Sequence, residues 1–275
     1  MSDPARRTAF LQEMGLGPIW SRRDLVHQVS DDQDVDQSWD EQIAVQNVVE
    51  IAAPVHTLSP QQEALESDVA QVPAMPVSDN QSVQNMDWSQ LQSVVSTCPQ
   101  CGLCHSRTQT VFGTGDQKAR WLFVGEGPGR NEDFQGQPFV GPAGKLLDNM
   151  MVAMGLQRGE NTYIANIVKC RPTDNNRRDR PPTLDEAAAC MPYLERQIAL
   201  INPTVIVALG KTAALSLLKL DPATPVSRLR GTVHRYGDKP LIVTYHPAYL
   251  LRNLADKGKA WADLCLAMRS FEMTD

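Results

Sequence analysis

Two sets of residues in this chain have the types and spacing that chemistry needs. The first is polar and lies at the ends of apolar runs. Glu126 sits inside GEGPG (125–129), Glu132 and Asp133 follow in RNEDF, Asn166 closes TYIAN, and His246 stands in TYHPAY. A carboxylate can stabilise a developing cation or orient and deprotonate water. A carboxamide offers an acceptor and a donor side by side. An imidazole can donate to an oxygen that gains negative charge. The second set is sulfur: Cys98, Cys101, Cys104, Cys170, Cys190 and Cys265. Cys98-Pro-Gln-Cys101 and Cys101-Gly-Leu-Cys104 are overlapping C-x2-C pairs. Together with Cys170 and Cys190 they can supply four thiolates, enough for zinc or a [4Fe–4S] cluster. Spacing alone does not choose two of the first three. Cys265, among apolar helix residues, reads as packing.

A glycine turn between a strand and a helix often cradles phosphate. Here Gly125, Gly127 and Gly129 are followed by Arg130-Asn131-Glu132, which fits neither GxGxxG nor a GK[ST] ending. The turn therefore points to some other ligand.

Alternating elements must position these groups. ARWLFVGE (119–126), TYIANIVK (162–169), PTVIVALG (203–210) and KPLIVTYHP (239–247) read as buried strands. Helices are predicted over 87–97, 143–155, 183–201, 211–220 and 253–271; Thr183 opens the third, with acids in its first turn. Apolar strands separated by helices imply an α/β fold, a three-layer α/β/α sandwich around a central four-stranded, mostly parallel sheet. Ligands of such sheets sit beyond the carboxyl ends of the strands. Three of those ends carry GEGPG, Asn166 and His246.

The chain has 275 residues, of which 42% are hydrophobic, room for one core and a tail. Residues 1–86 hold four arginines against fourteen acidic groups, so the acidic overall charge belongs to them and residues 87–275 are mildly basic. A mildly basic domain suits a polyanionic partner. Residues 1–27 contain a short amphipathic segment, 28–86 an acidic, aromatic-poor linker, and 87–275 the folded domain. No apolar run approaches the roughly 18 residues of a membrane span, and the N-terminus has no signal-peptide core. A soluble, cytoplasmic protein is expected, with cysteines for metal or catalysis rather than disulfides.

At this point a resemblance enters. CPQCGLC, RTQTVFGTGD, FVGEGPGRNEDFQGQPFVGPAGKLLDNM, YIANIVKCRP, CMPYLERQI and VTYHPAYLLR, in unbroken order from about 95 to 270, resemble the family 4 iron–sulfur uracil-DNA glycosylases. The resemblance implies a monofunctional enzyme of base excision repair that flips uracil out of DNA and hydrolyses its N-glycosidic bond. It implies cluster ligands at Cys98, Cys101, Cys170 and Cys190, with Cys104 a bystander, and a structural cluster that pins loops beside the pocket. It makes Phe139 the stacking residue, Asn166 the uracil reader and His246 the donor to uracil O2. Gly127 matches a small residue where the wider superfamily places a catalytic aspartate. Glu126, then Glu132, is expected to activate water or steady the sugar cation. Leu250, or else Tyr249, is expected to fill the vacated stack. Arg130, Lys145, Arg252 and the run RPTDNNRRDR (171–180) are expected at phosphates.

Other readings are a protein that recognises uracil and stays bound, and a zinc or iron–sulfur scaffold with a dead pocket. Some relatives trap the abasic sugar through a histidine in an inserted loop; residues 171–189 contain none. RRTAFLQEMGLGPIWSRR resembles the N-terminal peptide of the bacterial clamp-loader psi subunit. Residues 5–25 are therefore expected either to dock a replication or repair protein or to fold back on this domain. A monomer without membrane contact is expected.

Overall fold

A computed structural model describes residues 83–274. The expected partner peptide and nearly all of the acidic linker lie outside the described residues. The first helix, α1 (Trp88–Ser96), starts where Asp87 accepts from the Gln90 amide and Gln90 caps in return. Then follow β1 (Thr114–Gly115), β2 (Trp121–Gly125), α2 (Arg130–Gln135), α3 (Pro142–Ala153), β3 (Thr162–Asn166), α4 (Leu184–Ile201) and β4 (Val205–Leu209). The chain continues through α5 (Lys211–Leu218), α6 (Val226–Leu229), β5 (Val233–Tyr236), β6 (Lys239–Thr244), α7 (Pro247–Arg252) and α8 (Lys257–Glu272). A capping box of Thr183 and Glu186 opens α4, as the sequence predicts.

The strands form one sheet in the order β1-β3-β2-β4-β6-β5. The four inner strands are parallel, with Trp121 opposite Thr162 and Val205, and Ile206 opposite Leu241. These are the four predicted strands. Two antiparallel edges extend them, making six. β1 has two residues, too few for a period. β5 alternates between exposed and half-buried, and its VHRY carries no apolar run.

Inner strands are buried throughout because both faces are covered. Leu122, Val124, Ile206, Ala208 and Val243 face one core with α1, α4 and α5. Trp121, Phe123, Val205, Val207 and Ile242 face the other with α3 and α8. The result is the expected three-layer α/β/α arrangement. β3 ends at Asn166, but Ile167 and Val168 still donate to the Gly125 and Glu126 carbonyls, carrying an ordered track onward to Cys170.

Candidate active site

The carboxyl ends of three inner strands and one loop meet at a point. Gly125 ends β2, Asn166 ends β3, and His246 follows β6. A Cβ added at Gly125 would lie 2.4 Å from Asn166 Oδ1 and 2.6 Å from Phe139 Cζ. The Phe139 and His246 rings are 5.5 Å apart at a tilt of 30°. At the end of β4, Gly210 lies against His246: a Cβ there would come 2.9 Å from the His246 Cβ. Asn166 and Phe139 thus close in on Gly125, and His246 lies beside the Phe139 ring.

Asn166 is 2% exposed, and its Oδ1 is buried without a hydrogen-bond partner among the described residues. Such an orphaned acceptor is rare and costs about 1–3 kcal/mol. It suits a ligand that brings an N–H.

Phe139 is held in a left-handed backbone conformation, φ 55°, which an aromatic residue adopts only under constraint. Arg158 donates to the carbonyls of Pro138 (3.1 Å) and Phe139 (2.9 Å), and its Nε pairs with Asp148 at 2.7 Å. From the other side, Glu132 Oε1 accepts from the amides of Val140 (2.9 Å) and Gly141 (3.0 Å). The loop carrying the ring is therefore clamped on both its carbonyls and its N–H groups.

His246 is the N-cap of α7. Its Nδ1 accepts from the Ala248 amide at 3.1 Å, so the proton of the neutral ring is on Nε2. Burial, and next the Arg252 charge, push its pKa down to about 4, against an upward pull from Glu132. The imidazole is neutral at pH 7 and can donate from Nε2.

Of the nearby acids, Glu132 is committed to the Val140 and Gly141 amides. Asp133, 4% exposed, accepts from the Thr108 amide. Glu126 is half-buried and accepts a short hydrogen bond from the Thr212 hydroxyl instead. A Cβ at Gly127 would meet Val168 and Pro172 first.

The expected wedge is corrected. Leu250 is fully buried in the α3–α8 core and cannot enter a base stack. Tyr249 stacks on Tyr245 and donates to Asp256 at 2.6 Å. Leu251 and Leu254, beside them, are 42% and 54% exposed. Arg130, Lys145 and Arg252 are all exposed. In the 171–180 run, Arg171 pairs with Asp179 and Arg180 with Glu186, leaving Arg177 and Arg178 as its exposed basic residues, beside an exposed Asp174.

The thiols converge elsewhere. Cys98, Cys101, Cys170 and Cys190 line one cavity with Val95, Gln100, Arg107, Lys169, Ala189 and Tyr193. Three of the sulfurs accept hydrogen bonds. Tyr193 and the Gln100 amide donate to Cys98 (3.2 and 3.5 Å), Arg107 to Cys170 (3.2 Å) and the Lys169 amide to Cys190 (3.3 Å). Donors aimed at sulfur favour thiolates, while burial, the largest influence, pushes the free Cys190 thiol up to about 12. Cys104 is in a 3-10 turn outside the lining, and Cys265 packs against α8's core. Among the described residues, no group of three or more His, Cys, Asp or Glu is gathered closely enough to hold a single metal ion.

Arg158, Lys169 and Thr212, which bond to Phe139, Asn166 and Glu126, are neighbours that sequence reasoning missed. Lys169 did carry a signal, a lone charge closing the apolar run TYIANIV. Thr212, in the first turn after a buried strand, carried a weaker one, and Arg158 none.

The family model described as the Uracil DNA glycosylase superfamily matches residues 112–265. The chain is 45% identical over 163 residues to a type-4 uracil-DNA glycosylase of Archaeoglobus fulgidus, covering 57% of this chain and 79% of that protein. It is 46% identical over 164 residues to one of Thermotoga maritima, covering 59% and 82%. It is 37% identical over 187 residues to one of Pyrobaculum aerophilum, covering 66% and 93%.

Proposed function

Because the chain belongs to the uracil DNA glycosylase superfamily, we infer that it is a uracil-DNA glycosylase, hydrolysing the N-glycosidic bond of uracil in DNA and leaving an abasic site for repair. The observation that carries this reading is the buried Oδ1 of Asn166, without a partner among the described residues, beside Phe139, whose ring neighbours His246.

The glycosidic carbon is out of reach inside a duplex, so the base must leave the stack. Phe139, held rigid by Arg158 and Glu132, offers it a face. Asn166 Oδ1 accepts from uracil N3–H, and its amide donates to O4. Cytosine presents the opposite pattern at both atoms and would leave buried groups unpaired, a penalty of several kcal/mol. His246 Nε2–H donates to O2, where charge grows as the bond breaks; such preorganised donation is worth about 2.7–4 kcal/mol. Being neutral beforehand, the ring keeps its proton while stabilising the uracil anion. Glu126, oriented by Thr212, steadies the sugar cation and takes a proton from the water that adds to C1′. That proton then leaves with uracil. Arg130, Lys145 and Arg252 contact phosphates, and Leu251 rather than Leu250 fills the gap.

Cys98, Cys101, Cys170 and Cys190, lining one cavity, would hold a [4Fe–4S] cluster, with zinc the alternative for four thiolates. When bound, it supplies a rigid cross-link between the segment before β1 and the 166–170 track, not a step of the hydrolysis. No helix among the described residues is long and apolar enough to cross a membrane. The protein acts as a cytoplasmic monomer, and residues 5–25 dock a replication or repair protein. A pull-down with residues 1–27 that recovers no such protein removes that docking role.

The decisive assay is a labelled oligonucleotide with one uracil, treated with alkali after incubation. Strand scission at the uracil is expected. A trapped complex would indicate a damage-binding protein, and an intact strand would overturn the reading.

A further inference from the structure

The same buried lysine touches both the base reader and the thiol cavity. Lys169 is 1% exposed. Its Nζ donates to the backbone carbonyl of Asn166 at 2.9 Å and to Gln197 Oε1 at 2.6 Å. Its own amide donates to Cys190 Sγ at 3.3 Å, and its carbonyl accepts from the Val111 amide at 2.7 Å. Gln197 is itself fully buried on α4 and anchored by donation to the Phe112 carbonyl at 2.9 Å. A charged amine is rarely buried so completely without a specific task. Simple packing of this site would be met more cheaply by methionine or leucine.

We propose that Lys169 is a positioning residue for uracil recognition: its ammonium holds the Asn166 carbonyl while its own amide is tied to Cys190, so that the thiol site holds the base reader in place through this lysine. The proposal rests on the uracil-DNA glycosylase reading. Among the described residues nothing donates to Asn166 Oδ1, so the setting of its backbone helps to decide where that oxygen points. Gly125 and Phe139 leave it little room to adjust. The recognition carboxamide is thus steered from below by an amine that also borders the cysteine cavity.

The test compares the full chain with Lys169→Met, measuring iron content, melting temperature and binding to three oligonucleotides. One carries a non-cleavable uracil nucleotide, one cytosine at that position, and one a stable abasic analogue. The expected result is a loss of the uracil-over-cytosine preference by about 10-fold or more, with iron content and abasic affinity unchanged. An unaltered preference overturns the proposal. So does an equal loss on all three oligonucleotides together with lost iron, which would mark a merely structural lysine. If Lys169→Met does not fold, Gln197→Met decides, since it removes the ammonium's other anchor: a reduced preference at full iron content supports the proposal, and an unchanged one overturns it. Absence of any uracil preference in the unaltered chain would instead sink the glycosylase reading itself.

Discussion

Arg158 donates to the carbonyl of Phe139 at 2.9 Å, and Phe139 sits at φ 55°. The guanidinium thus helps hold an aromatic ring in a backbone state it would not choose. Strain of this kind costs about 1–3 kcal/mol and persists only where its surroundings over-determine it. Arg158→Met should release the loop. We expect kcat/KM for uracil excision to fall by about 10- to 100-fold, with a smaller loss of stability because the Asp148 pair is partly solvated. Steady-state kinetics on a uracil oligonucleotide, beside a thermal melt, separate the two effects.

Asn166→Leu should divide stability from activity in the opposite sense. It replaces a buried, unpartnered acceptor with an apolar side chain of similar size. Excision should drop by at least about 100-fold, while denaturant unfolding shows stability equal to the original or higher by about 1 kcal/mol. Lower stability would mean that the carboxamide has a partner in the free protein.

Gly125→Ala tests this close approach directly. The added methyl would press on Asn166 Oδ1 and Phe139 Cζ at 2.4 and 2.6 Å. Uracil binding should weaken by about 100-fold or more through occlusion of the site. An alanine enzyme of full activity would show that the base lies elsewhere.

His246 sets a pH signature. Its folded pKa of about 4 lies below the ordinary 6.5, so the unfolded chain binds this proton first as pH falls. The resulting destabilisation is absent above about pH 6.5, grows between about 6.5 and 4, and saturates near 3 kcal/mol. Urea unfolding of the original chain and His246→Gln across this window should show the variant losing less stability. Equal slopes would mean an imidazole that titrates normally.

Cys190→Ser and Cys265→Ser should behave differently. The first removes a sulfur from the four-cysteine cavity, the second one packed against the opposite core. We expect Cys190→Ser to lose iron and visible absorption and to melt at lower temperature, while Cys265→Ser keeps both. Iron analysis of the two proteins checks this.

The inner sheet was legible because strands covered on both faces need continuous apolar runs, as in WLFV and TVIVAL. Asn166 and His246 were legible as polar residues closing such runs. Leu250 was not. In HPAYLLR, Leu250 and Leu251 are equally apolar, and only the seating of α7 against the core decides that Leu250 is buried and Leu251 exposed. β1 and β5 escaped because a two-residue strand and an exposed edge carry no hydrophobic period. Arg158 escaped because its work is done on backbone carbonyls 19 and 20 positions away, which no local motif records.

The order of the strands along the chain has a consequence for synthesis. His246 follows β6, whereas Gly125, Phe139 and Asn166 are made much earlier. On the proposed assignment, a polypeptide still emerging from the ribosome therefore owns a reading amide and a stacking ring but no donor for the departing base. Excision can begin only once translation has delivered the closing strand and folded it beside β4.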